Sequence, residues 1–203
     1  MSRQLAEKGA DLLLLDNNDR ALVGLSDSIQ GAGFAEPGVC PLDLAVAGDD
    51  ACRHLSEIIS EQYGGLDILI HCAAAFHGLQ PLEHVSVNQW HEMVQVNLNA
   101  PWLLSTTCLP FLRASDAGKI VFILEDERIY GLPFRGAYAA SKAGLASLAQ
   151  TLAEELEGSN VSVLKFYPPA MRTELRARAY HSENPKALRD PRIVASELVE
   201  KLL

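Results

Sequence analysis

The sequence predicts an α/β fold in which helices cover both faces of a parallel β-sheet. Short continuous apolar runs alternate along the chain with longer segments of helical periodicity. The runs are too short to be helices and are typical of strands buried on both faces, as in parallel sheets. A chain of 203 residues with 48% hydrophobic content can bury a sizeable core, so we expect one domain over residues 1–203.

The first part of the chain contains three predicted strands. Residues 2–9 form the end of a helix that Gly9 closes, and the leucine run at 12–15 is the first strand. A helix at 19–30 ends before the glycine-rich turn at 31–33, and a weak strand follows at 39–42. Apolar residues Leu55, Ile58 and Ile59 indicate a helix at 49–63, and the apolar run at 66–71 is the third strand.

The rest of the chain contains two strands and three helices. Ser86 is the expected N-cap of a helix at 86–113, which Pro101 and Pro110 should kink or segment. A strand at 120–124, a polar loop at 125–135, a helix at 137–157 and a strand at 161–167 follow. An amphipathic helix at 193–203 ends the chain. Open parallel sheets bind ligands at the carboxyl ends of their strands, so residues that follow the strands are candidate site residues.

Composition excludes several functional classes. A formal charge of -9, from 26 acidic and 17 basic residues, argues against a nucleic-acid partner, because phosphate binding needs clustered Lys and Arg. The basic residues Arg172, Arg176 and Arg178 have the spacing of a solvated helix face. No apolar run reaches the length of a membrane span, so we expect no membrane partner.

Cysteine and histidine spacing indicates neither disulfides nor a metal. His84 and His91 could share a helix face, but no third ligand follows at a recognisable spacing, so we expect no metal site. The four cysteines have no Cys-x-x-Cys spacing and are typical of reduced thiols in a cytoplasmic protein; they are Cys40, Cys52, Cys72 and Cys108.

Two side chains in the helix at 137–157 have the spacing of a pair that could transfer a proton. Tyr138 and Lys142 are four residues apart and therefore lie on one helix face. A nearby ammonium lowers the pKa of a phenol from its ordinary value of about 10. A tyrosine tuned in this way can give a proton to a carbonyl oxygen or take one from an alcohol. The alternative, for an isolated match, is a surface pair that stabilises the helix slightly.

The run Tyr-Ala-Ala-Ser-Lys-Ala-Gly at 138–144 resembles the active-site helix of the short-chain dehydrogenase/reductase family. The resemblance covers nearly all of the chain, and residues 171–179 resemble the YciK-like bacterial branch. It implies a three-layer Rossmann-like sheet and hydride exchange between NAD(P) and a small carbonyl or alcohol substrate. The family's first strand and glycine-rich phosphate loop, and its seventh strand, are not found in the sequence. We therefore expect weak dinucleotide binding.

The resemblance also implies catalytic roles. Tyr138 would be the general acid/base, Lys142 would tune it and hold the ribose, and Asn97 would hold a water of the proton relay. Glu125 stands thirteen residues before Tyr138, where the family has a substrate-orienting serine. An ionised carboxylate only accepts hydrogen bonds, and its charge would raise the pKa of Tyr138.

Cofactor positions and an assembly follow from the same resemblance. Asp16 ends the strand whose last residue selects the cofactor, and its carboxylate favours NAD over NADP. Ala74 replaces a glycine that packs against the cofactor. Helices 86–113 and 137–157 would form a homodimer or homotetramer. The implied cofactor contacts are Asp16, Asp43, Leu44, Ala73, Ala74, Lys142, Pro168 and Thr173.

Three interpretations remain open. The chain could be a dehydrogenase whose sequence is shortened at both ends. It could be a non-catalytic relative that keeps the fold to bind a partner or a small ligand. It could also be an oligomerisation module built on the helices at 86–113 and 137–157.

Overall fold

Strands and helices alternate along residues 1–203, all of which the computed structural model describes. The strands are β1 (Leu13–Asp16), β2 (Gly38–Pro41), β3 (Ile68–His71), β4 (Gly118–Ile123) and β5 (Val161–Phe166). The helices are α1 (Ser2–Glu7), α2 (Asp19–Gln30), α3 (Asp49–Ile58), α4 (Val87–Val94), α5 (Ala100–Ala114), α6 (Gly136–Glu155), α7 (Glu174–Ala179) and α8 (Pro191–Leu202). Every strand pairing is parallel, in two sheets of order β1-β2 and β3-β4-β5. The predicted Rossmann-like α/β class is confirmed.

The first compact unit comprises Met1–Leu44 and Pro169–Leu203. Its sheet pairs β1 with β2 in a register that sets Leu14 opposite Val39. Asn18 caps α2 by accepting a hydrogen bond from the backbone N–H of Ala21, so this helix begins where the sequence predicts. No helix of the chain combines the length and the apolar composition that a membrane crossing requires.

The second compact unit comprises Ala45–Pro168 and carries the three-stranded sheet. Its central strand β4 contributes Ile120, Val121 and Phe122, all 0% exposed, because a middle strand is covered on both faces. Helices α5 and α6 both contact β4. The candidate catalytic residues all belong to this unit.

The helix predicted at 86–113 is interrupted. Ser86 and Gln89 form a capping box at the start of α4, which ends at Val94. A π-helical turn at Gln95–Asn99 separates α4 from α5. The prediction of a segmented helix is confirmed before Pro101, whose ring nitrogen has no proton to donate to the preceding turn. Pro110 does not divide the helix, because α5 continues through it to Ala114.

A second π-helical turn, at Ile59–Tyr63, ends the helix that the sequence predicts at 49–63. Gly64 then adopts a left-handed conformation with φ of 71°, as is typical of a helix C-terminus. Short 3-10 turns lie at Leu82–His84, Glu127–Ile129 and Pro185–Ala187.

Candidate active site

Helix α6 holds both members of the predicted pair in the interior. Tyr138 is 3% exposed and Lys142 is 4% exposed, so neither belongs to a solvated surface pair. The helix approaches the π-helical turn closely at Gly144, where an added Cβ would lie 2.9 Å from the Cδ2 atom of Leu98. Glycine at this position therefore allows α6 to pack against the turn.

The ammonium of Lys142 is fixed by the main chain. Its Nζ donates a hydrogen bond of 2.8 Å to the carbonyl oxygen of Ile123, the last residue of β4. Burial lowers the pKa of Lys142, while the neighbouring Glu125 and Cys72 act in the opposite direction. An ammonium has three N–H donors, and this contact uses one of them.

His71 is a buried neutral side chain beside this group. Burial, assisted by the charge of Lys142, lowers its pKa to about 3. Its Nε2 lies 2.8 Å from the Oγ of Ser105, and its ring packs against Phe122 with 4.8 Å between centroids. His71 therefore serves as a core residue at the end of β3.

Tyr138 is hydrogen-bonded to Glu125, the carboxylate at the position where the family has a serine. Its Oη donates to Oε1 of Glu125 at 2.5 Å, and its ring meets Phe76 edge-on with 5.0 Å between centroids. Burial raises the pKa of Tyr138, the charge and hydrogen bond of Glu125 raise it further, and Arg135 partly opposes them. The decrease expected from Lys142 alone is wrong, and the increase expected from Glu125 is confirmed.

Asn97 ties the π-helical turn to two neighbouring segments. Its Oδ1 accepts from the backbone N–H of Ala75 at 2.7 Å, and its Nδ2 donates to the Ala75 carbonyl at 2.9 Å. Nδ2 also donates to the Oγ of Ser141 at 3.0 Å, and Ser141 in turn donates to the Tyr138 carbonyl at 2.9 Å. The sequence interpretation missed Ser141, although its place three residues after Tyr138 is a usual one for such a backbone contact.

The strand ends of the second unit bring several predicted positions to one edge. Ala73 and Ala74 follow β3 in an exposed irregular segment, Glu125 follows β4, and Pro168 follows β5. Because the strands are parallel, their carboxyl ends lie at the same edge of the three-stranded sheet. Tyr138 contacts Glu125 at this edge.

Four predicted cofactor positions belong to the first unit. Asp16 is the exposed last residue of β1, and its Oδ1 accepts from the backbone N–H of Asn18 at 2.9 Å. Asp43 and Leu44 follow β2, and Leu44 is buried. Thr173 is the N-cap of α7, where its Oγ1 accepts from the backbone N–H of Arg176.

A nicotinamide ribose fits the donors of the second unit. Lys142 offers N–H groups beyond the one that Ile123 accepts, and ribose hydroxyls are acceptors for an ammonium. The exposed residues Ala73 and Ala74 lie at the same sheet edge. These residues could hold the nicotinamide end of a dinucleotide.

Comparison with known proteins identifies the family of the chain. The family model for short chain dehydrogenases matches residues 1–184. The oxidoreductase YciK of Escherichia coli K12 is 32% identical over 186 residues, which are 92% of this chain and 73% of YciK.

Solved structures are also similar to the chain over most of its length. A short chain dehydrogenase from Pseudomonas syringae has a TM-score of 0.93 and 33% identity, covering 99% of this chain and 82% of its own. One from Escherichia coli CFT073, solved with NADPH, has a TM-score of 0.90 and 30% identity, covering 98% of this chain and 82% of its own. The resemblance seen at residues 138–144 therefore extends over nearly the whole fold, and the chain belongs to the short-chain dehydrogenase family.

Proposed function

We propose that this protein is an oxidoreductase that exchanges a hydride between a nicotinamide dinucleotide and the carbonyl or alcohol carbon of a small molecule. The observation that carries the proposal is the buried Tyr138–Lys142 pair on α6, in a chain that belongs to the short-chain dehydrogenase family. Hydride chemistry would be supplied by the dinucleotide. The protein would supply orientation and proton transfer.

The residues of the second unit have distinct proposed roles. Lys142, fixed by the Ile123 carbonyl, would donate to the ribose hydroxyls. Tyr138 would exchange a proton with the substrate oxygen. Asn97 uses its amide to hold Ala75 and Ser141, so we assign it to positioning these segments. The relay water implied for Asn97 would have to use the second lone pair of its Oδ1.

The cofactor that we propose is NADP. Similar solved structures from Shigella flexneri, from E. coli CFT073 and from a metagenome hold NADP or NADPH. They point away from the NAD preference that Asp16 indicated. The Asp16 carboxylate is exposed and already accepts a hydrogen bond from the Asn18 N–H. Water and salt screen an exposed charge, which weakens its repulsion of a 2'-phosphate.

We also propose that the active form is a homodimer or homotetramer through α4, α5 and α6. Large apolar side chains on α4 and α5 are exposed, among them Trp90 at 38% and Trp102 at 53%. Tryptophan is enriched at interfaces between subunits relative to the rest of the protein surface. Sedimentation of the wild-type chain beside a Trp102→Glu variant tests this assembly, and a wild-type monomer would refute it.

A second candidate is a non-catalytic relative that binds a dinucleotide or another small ligand. The observation that favours it is the Tyr138 hydroxyl, which donates to Glu125 instead of pointing to an open substrate position.

Cofactor titration and turnover distinguish these candidates. NADPH and NADH are titrated into the 203-residue chain while the fluorescence of the reduced nicotinamide is followed. Turnover is then measured by its absorbance with a panel of aldehydes, ketones and secondary alcohols. We expect tighter binding of NADPH, and turnover that Tyr138→Phe abolishes while cofactor binding is retained. Binding without turnover by the wild type favours the non-catalytic relative, and turnover retained by Tyr138→Phe refutes the assigned acid/base.

A further inference from the structure

We propose that Glu125 is the terminal proton acceptor of this site in alcohol oxidation and its terminal proton donor in carbonyl reduction, with Tyr138 passing the proton between Glu125 and the substrate. This inference rests on the proposed oxidoreductase function. It differs from the serine role that the family resemblance implies, because a serine hydroxyl neither takes up an additional proton nor gives up its own near neutral pH.

The geometry of the contact supports a direct transfer. The two oxygens are 2.5 Å apart, which is the short end of the range for an O–H donor and a carboxylate. With its proton directed at Glu125, the Oη of Tyr138 has only lone pairs left for a substrate. A substrate hydroxyl can donate to these lone pairs, whereas a substrate carbonyl cannot. The arrangement is therefore that of the alcohol-oxidising direction.

Formation of a phenolate is disfavoured in this environment. Burial and the adjacent Glu125 charge both raise the pKa of Tyr138. Lys142 is directed to the carbonyl of Ile123, at the end of the neighbouring strand. A phenolate beside an ionised Glu125 would set two negative charges within hydrogen-bond distance in a buried place. A relay in which Tyr138 remains neutral avoids that state.

Two other ionisable groups near Tyr138 and Glu125 already make hydrogen bonds of their own. Asp126 accepts from the guanidinium Nε of Arg128 at 2.8 and 2.9 Å, and this contact lowers its pKa to about 2. Tyr130 lies with its hydroxyl 3.3 Å from the Glu125 carbonyl, and burial, followed by neighbouring negative groups, raises its pKa to about 12.

The remaining ionisable neighbours are one carboxylate, one phenol, two cations and one thiol. They are Glu127, Tyr167, Arg135, Lys142 and Cys72. Glu125 is the carboxyl group in hydrogen-bond contact with Tyr138, and it is partly exposed, so it can exchange its proton with water.

The transfer balances in both directions. In oxidation, the substrate O–H bond breaks as its proton passes to the Tyr138 oxygen, and the Tyr138 proton passes to the Glu125 carboxylate. The carbinol hydrogen would leave as a hydride to the oxidised nicotinamide that the proposed function supplies, and a carbonyl would form. In reduction, each bond change is reversed, so that a protonated Glu125 is the proton source.

The two directions require opposite protonation states of Glu125. Oxidation requires its carboxylate form, whereas reduction requires its acid form. A mechanism with a tyrosinate base stabilised by Lys142 would need no proton-accepting side chain at position 125.

Tyrosine titration tests the coupling without cofactor or turnover. Tyrosinate absorbance is followed against pH for the wild type, Glu125→Gln and Glu125→Ser. Each is measured with its Tyr138→Phe partner, so that the difference reports Tyr138 alone. We expect Tyr138 to ionise about one pH unit lower, or more, when the Glu125 charge is removed. In an Asp126→Asn control, the difference signal of Tyr138 should appear at the same pH as in the wild type. An unchanged Tyr138 titration in both Glu125 variants overturns the inference.

Rates test the proton transfer itself. Glu125→Gln keeps an acceptor for the Tyr138 hydroxyl but cannot take up a proton, so oxidation should fall by about 10²- to 10⁴-fold. Glu125→Asp keeps a carboxylate and should therefore keep part of the oxidation rate. Full oxidation by Glu125→Gln overturns the inference. If the Glu125 variants shift the Tyr138 titration but the wild-type chain turns over no substrate, the proposed oxidoreductase function is refuted instead.

Discussion

Asn97 offers a quantitative test of how the second unit is held together. The side chain is 1% exposed and makes three hydrogen bonds, at 2.7 and 2.9 Å to the backbone of Ala75 and at 3.0 Å to Ser141. In an Asn97→Ala variant, the Ala75 N–H and carbonyl lose these partners. Ser141 still donates to the Tyr138 carbonyl.

The expected loss of stability in Asn97→Ala can be calculated from these hydrogen bonds. A typical net contribution is about 1 kcal/mol per hydrogen bond, so three bonds predict a loss of about 3 kcal/mol in the free energy of unfolding. Ala75 is only half-buried, and water that reaches its backbone would reduce the loss to about 2 kcal/mol. Urea denaturation followed by circular dichroism measures the change as a lower midpoint at constant slope.

Asn99 is the matched control in the same π-helical turn. It is exposed, and its Nδ2 makes one hydrogen bond of 3.0 Å, to the side chain of Gln95. Asn99→Ala should therefore change the free energy of unfolding by less than about 0.5 kcal/mol. Equal losses in the two variants would refute the assignment of Asn97 as the residue that ties the three segments together.

Two further predictions concern packing and pH. Gly144→Ala should lower the free energy of unfolding by about 1 to 3 kcal/mol in thermal or urea melts, because its methyl group would lie 2.9 Å from Leu98. The control Gly24→Ala, on an exposed helix position with nothing within 4 Å, should stabilise the chain slightly, and a gain at Gly144 would contradict the packing. The folded pKa of His71 lies below its unfolded value, so the unfolded chain binds the proton first as the pH falls. As the pH falls from about 6.5 to about 3, His71 should therefore lower the free energy of unfolding by at most about 1.4 kcal/mol per pH unit. Urea melts at several pH values measure this, and in His71→Gln the free energy of unfolding should change less steeply with pH.

The strands and most helices could be predicted because their signals are local. Apolar runs such as the leucines of β1 and the centre of β4 identify buried strands wherever they occur. The helical period placed Tyr138 and Lys142 on one face, and the structure has them on one face of α6.

The parts that could not be predicted depend on contacts between distant segments. The π-helical turn at Gln95–Asn99 depends on a change of backbone register, for which the sequence contains only Pro101 as a hint. The direction of Lys142 depends on the position of the Ile123 carbonyl, a main-chain atom that residue identity does not describe. The basic residues at 172–178 indicate a helix face, but the bounds of the short helix α7 could not be predicted, because six residues contain too few turns to display a period.

The two hydrogen bonds that hold Lys142 and Tyr138 differ in how they depend on sequence, and this difference affects how the family can diverge. Lys142 is held by a peptide carbonyl, so this contact does not depend on which side chain stands at position 123. Tyr138 is held by a side chain, which one codon change can remove. The acid–base character of the site can therefore drift between lineages by replacement at position 125, while the lysine contact persists as long as β4 keeps its register.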